Sequence, residues 1–82
     1  MSEWTDELAL ALGVSTLDET QEAALLGTSR AIAHRVERKD TPISTYLAGV
    51  AAGTRIADGA HPAEALETVL ETLRATLPPA GP

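Results

Sequence analysis

The chain has 82 residues, of which 44% are apolar, but only Trp4 and Tyr46 are aromatic and there is no cysteine. One small domain with a thin core is therefore expected, with neither a disulfide staple nor a thiolate metal site. The formal charge of −6 argues against nucleic acid and anionic membranes as partners, because both need a cationic face.

The apolar spacing is helical throughout and shows no sustained period of two. An all-α, four-helix up-and-down bundle is expected as a single domain over 1–82, with helices near 3–12, 18–38, 42–58 and 62–77. The first helix opens at Ser2, a good N-cap, with Glu3, Asp6 and Glu7 complementing the positive end of the dipole. Trp4, Leu8, Ala11 and Leu12 recur at i, i+4, i+7 and i+8, so they are expected to form the buried face, with Trp4 covering the core. Gly13 stops the helix as a residue able to adopt the left-handed conformation. This helix is the shortest, and is expected to lie across the others as a lid.

The second helix has two overlapping capping-box patterns, Thr16-x-x-Glu19 and Asp18-x-x-Gln21. Leu25, Ser29, Ile32 and Val36 mark its expected buried stripe, with Ala33 beside them. Arg35, Arg38 and Lys39 crowd its C-terminal end, where cations meet the negative dipole. In the third helix Thr41 is expected at the N-cap and Pro42 at the first helical position, where the missing N–H is harmless. Ile43, Leu47, Val50 and Ala57 are expected to face the core, with Thr54 in line and Tyr46 at the edge. His61-Pro62 opens the last helix, whose Leu66, Val69, Leu70, Leu73 and Leu77 make the strongest amphipathic stripe. Pro78-Pro79 ends it, and 78–82 are expected as a disordered tail.

No nucleotide-binding loop, zinc-protease motif or nucleophile elbow is present, and no nucleophile, base and orienter can be assembled. The expectation is a protein that is not an enzyme and holds no metal or cofactor. Five of the six basic residues lie between Arg30 and Arg55. Arg30, His34 and Arg38 stand at i, i+4 and i+8 of the expected second helix and would line one strip. With Thr41, Ser44 and Thr45 at the start of the next helix, that strip is a candidate anion- or partner-binding site. A solvated face whose charges pair with nearby acids is the simpler expectation. Gly49 and Gly53, flanked by Ala48, Ala51 and Ala52, strip part of the third helix bare. Close packing of another helix there is the simpler expectation, and docking of a partner is the alternative. The leucines of the last helix are expected to serve the monomer's core, with a homodimer seam as the alternative.

Ala33-His34, Val36-Glu37-Arg38, Pro42 through Leu47, and Gly49 with Ala51-Ala52-Gly53 together resemble a small bacterial helical family of unknown function. Trp4, Leu8, Leu12 and Gly13-Val14 are similar too. Members of that family occur alone or fused to the molybdenum cofactor guanylyltransferase, which makes molybdopterin guanine dinucleotide. The chain departs from the pattern at Lys39, where a proline would follow the arginine, and at Gly27-Thr28, where leucines are usual. The resemblance implies a role as a non-catalytic accessory or interaction domain in molybdenum cofactor maturation, with such a guanylyltransferase as a candidate partner. A small structural homodimer without a ligand is the alternative. No apolar run reaches the ~18–20 residues of a membrane span, and the first residues carry acids where a secretory leader carries Lys or Arg. A cytoplasmic location is expected.

Overall fold

The computed structural model describes residues 2–80. It contains four helices, α1 (Glu3–Leu12), α2 (Glu19–Arg35), α3 (Asp40–Ala57) and α4 (Pro62–Thr76), and no strand among the described residues. It is a small all-α bundle, as expected. Pro78 to Ala80 lie beyond α4 and are not helical, while Gly81 and Pro82 of the expected tail fall outside the described residues.

Three of the helix starts follow from side chains that answer the free N–H groups of a first turn. Ser2 Oγ accepts from the Thr5 N–H at 3.2 Å. Asp18 Oδ1 accepts from Gln21 N–H at 2.7 Å while Gln21 Oε1 accepts from Asp18 N–H at 2.9 Å, a complete capping box. His61 Nδ1 accepts from Ala63 N–H at 3.2 Å, with Pro62 in the first helical position. At the other end of α1, Gly13 adopts φ 69 and ψ 32, and the Val14 N–H reaches back to the Ala9 carbonyl at 3.0 Å. That left-handed turn is one glycine allows at little cost.

Two boundaries differ from expectation. α2 stops at Arg35, three residues early, because Val36 leaves the helix for extended backbone at φ −132 and ψ −161. The chain then turns at once into α3, with Asp40 N–H bonded to the Glu37 carbonyl at 3.0 Å and Thr41 N–H to the Arg38 carbonyl at 3.1 Å. α3 consequently begins at Asp40, and Thr41 is a helical residue rather than its N-cap. Pro42 is still tolerated, since it remains in the first turn.

The core lies between α2, α3 and α4, which pack pairwise against one another. Ala48 and Ala52 of α3 meet Val69 and Leu70 of α4, with Ala24, Leu25, Leu66 and Leu73 around them. Ile32 and Thr28 of α2, each 1% exposed, are the largest fully buried side chains. Thr28 can be buried because its hydroxyl is doubly bonded: Oγ1 donates to the Ala24 carbonyl at 2.8 Å and accepts from Arg74 Nε at 2.8 Å. Arg74 Nη2 also donates to the Ala24 carbonyl at 3.1 Å, so one side chain of α4 ties two polar atoms of α2.

α1 is not a lid. No Cα of α1 lies within 8 Å of a Cα in the other three helices, whereas helices packed at the usual axial distance bring Cα atoms within about 4–6 Å. Its buried residue is Ala9, and the expected inner face of Trp4, Leu8, Ala11 and Leu12 is exposed.

Candidate interaction surface

The corner at the start of α3 does not form an anion cradle. Arg30 and His34 are exposed on α2, but Arg38 lies in the turn after the helix has ended, so the three do not share a strip. Lys39 is paired with Glu37 at 3.1 Å on the surface. The first helical N–H groups of α3, those of Asp40 and Thr41, already bond to the carbonyls of Glu37 and Arg38. The third position is Pro42, which has no N–H to offer. Thr45 Oγ1 donates to the Thr41 carbonyl at 2.7 Å, and Thr41 Oγ1 is buried without a hydrogen-bond partner. An acid, Asp40, occupies the first turn, and its Oδ2 accepts from the Glu37 N–H at 3.1 Å. Backbone donors that would coordinate a phosphate are used up, and a carboxylate stands where the anion would sit. Ser44 instead lines the apolar groove described next.

The surface that the structure leaves open is apolar and belongs to α3. From Thr41 to Thr54 this helix carries no charged residue, yet its buried residues are the small ones, Ala48 and Ala52. Ile43, Leu47 and Val50 were expected to face the core and instead point to solvent, with Leu47 61% exposed; Tyr46 is 72% exposed. Helices that are apolar all round are normally covered on more than one side, and α2 and α4 cover only one side of this one. The reason is steric. Alanines at 48 and 52 let α3 approach α4 closely, and the large side chains then have to occupy the outer faces.

Gly49 and Gly53 also differ from expectation. Neither packs against a neighbouring helix, and a Cβ placed on either would meet no atom within 4 Å. The bare strip lies on the outside of α3, beside Tyr46.

Between α3 and α4 the exposed side chains border a groove of about 480 Å³. Val36, Ile43, Leu47, Leu73 and Leu77 supply its apolar walls, and its lining holds two charged residues, Asp40 and Arg55. These stand at opposite ends of α3, fifteen residues and therefore about 22 Å apart along the axis. At ~100° per residue, Asp40, Leu47, Ala51 and Arg55 fall within a sector of about 80°. The groove thus has an acidic end, an apolar middle and a basic end.

A second open apolar face lies on α1. Trp4 is 65% exposed and Leu12 is nearly the same, with Leu8 between them on that face. At ~100° per residue Glu3 and Glu7 border these side chains, whereas Asp6 falls on the opposite side of the helix, so one edge of this apolar ridge carries negative charge. Among the described residues no group of three His, Cys, Asp or Glu side chains could hold a metal ion, and no helix is long and apolar enough to cross a membrane.

One sequence signal could have identified the α3 surface: fourteen residues without a charge give this helix no charged side to present to water. Comparison with known proteins adds a family and no activity. Residues 1–80 match a family described as a domain of unknown function, DUF6457. No curated protein and no solved structure matches the chain.

Proposed function

The chain belongs to the DUF6457 family, and we propose from its surfaces that it is a non-catalytic interaction domain. The observation that carries this is the pair of open apolar faces, one on α1 and one on α3, on a chain with few large apolar side chains to spare. Contiguous exposed apolar surface rimmed by charge marks docking sites in soluble proteins. A purely structural homodimer would account for the face on α3 but leave the separate face on α1 unexplained, which favours an interaction domain.

In this proposal α1 is the docking arm. Trp4 is a large amphipathic side chain of the kind that anchors interfaces, and Leu8 and Leu12 extend its face by two turns. Glu3 and Glu7, beside that face, then select a partner surface that is apolar and basic. The resemblance carried by Val36-Glu37-Arg38 and Pro42 through Leu47 supports molybdenum cofactor maturation as the setting. A molybdenum cofactor guanylyltransferase is the partner to try first.

Titration calorimetry with a purified guanylyltransferase tests this. Binding is expected to be weakened by salt and abolished by Trp4→Ala, a substitution that leaves helix content unchanged because Trp4 lies outside the core. Absence of heat up to high micromolar concentration would eliminate that partner, and binding unaffected by Trp4→Ala would eliminate α1 as the arm.

A further inference from the structure

We infer that the groove between α3 and α4 is closed by a second copy of the same chain, with the two α3 helices antiparallel across a twofold axis. This deepens the interaction-domain proposal by naming the occupant of one of its two faces, and it leaves α1 free for the other partner.

The charge pattern of the groove selects the occupant. An isologous twofold interface brings residue i of one copy against residue j of the other, and j against i. Asp40 and Arg55 lie at opposite ends of one helix, on the sector that faces the groove. Neither has an ion-pair partner among the described residues. Antiparallel α3 helices set Asp40 of each copy opposite Arg55 of the second copy, so one geometry forms both pairs at once. A parallel arrangement would set Asp40 against Asp40 and Arg55 against Arg55, and is excluded by repulsion.

The apolar residues agree with the same axis. The midpoint between positions 40 and 55 falls beside Leu47, which is exposed and lines the groove. The twofold axis therefore passes close to the side chain best placed to enter the opposing groove. Ile43 and Val50 flank it on either side and are also exposed. The groove's other wall carries Leu73 of α4 and Leu77 just beyond its end and holds no charge, as needed to receive a leucine. α1 of the same chain cannot be the occupant in this arrangement, since its backbone stays clear of α3 and α4.

A face one helix and one groove wide is at the small end of specific interfaces, so association in the micromolar range is expected.

Sedimentation velocity of the full chain over a range of concentrations tests the inference. The wild type is expected to form a reversible dimer. Asp40→Arg alone and Arg55→Asp alone place like charges at both ends of the interface, and each is expected to weaken dimerisation by at least about tenfold. An equimolar mixture of the two variants restores both opposite-charge pairs and is expected to dimerise as the wild type does. Asp40→Asn, which keeps an oxygen to accept from the Glu37 N–H, is expected to weaken the dimer without disturbing the turn, with circular dichroism confirming the fold of every variant. A wild type that stays monomeric to high micromolar concentration would overturn the inference. So would a dimer indifferent to both reversals, or a mixture that fails to recover. Trp4→Ala separates the two proposals: it is expected to leave the dimer intact while removing the guanylyltransferase signal, so either can fail without the other.

Discussion

Thr28 and Arg74 are the best place to measure what holds the three-helix core together. The Thr28 hydroxyl is buried, donates to the carbonyl one turn back and accepts from a guanidinium 46 residues further along the chain. The donation to Ala24 is local and contributes little, because such back-bonds are close to neutral in a helix. The Arg74 bond is different, since it joins α2 to α4. A hydrogen bond to a charged group contributes about 1.5–3 kcal/mol when well buried. Arg74 as a whole is exposed, so water can replace the lost partner and a value below that range, about 1–1.5 kcal/mol, applies here. Thr28→Val preserves shape and removes only the hydroxyl. Arg74→Met keeps much of the stem and removes both donors. Each variant is expected to cost about 1 kcal/mol, and because both break the same bond, the double variant should cost little more than either. A coupling near 1 kcal/mol follows, which in a domain of this size is about 4–8 °C in melting temperature. Urea unfolding followed by far-UV circular dichroism, at one fixed protein concentration for all four proteins, measures it. Additive losses, or a Thr28→Val protein as stable as the wild type, would show that the tether contributes nothing.

Three further outcomes are expected. Gly49→Ala and Gly53→Ala should each stabilise the monomer by up to about 1 kcal/mol, because alanine is the better helix former and its Cβ meets no atom; a loss in thermal melts would show that something covers that strip. Asp18→Ala should cost about 1 kcal/mol by dismantling the capping box, and His61→Ala a similar or smaller amount by leaving the Ala63 N–H without its acceptor, both read by denaturant unfolding. Leu47→Glu should change monomer stability by less than about 0.5 kcal/mol, as expected for an exposed site, whereas a core position would lose several times that in the same experiment.

What could be read from the sequence was local. Ser2, Asp18 and His61 announce three helix starts because a cap acts within three residues of itself, and the stripe from Leu66 to Leu77 declares its inner face by contrast with the acids around it. α3 offered no such contrast. With apolar residues on every side, spacing alone assigned Ile43, Leu47 and Val50 to the core, and the choice of Ala48 and Ala52 instead depends on how closely α4 can approach. Thr28 was missed for a related reason: a buried hydroxyl is credible only once its partner is known, and Arg74 is far away in sequence. The end of α2 rests on the turn from Glu37 to Asp40, whose hydrogen bonds begin the next helix before the previous pattern of charges has run out. The candidate strip of Arg30, His34 and Arg38 assumed a helix that continues through position 38, and it dissolves once α2 stops at Arg35.

The position of Trp4 has a practical consequence. It is the only tryptophan, and it sits on a helix whose backbone keeps clear of the other three. Because its ring is already largely in water, melting the core changes its surroundings little, and its emission is a poor monitor of unfolding. The same placement makes it a native optical probe of α1: a blue shift in its spectrum reports that something has settled on that helix, with no label added to the chain.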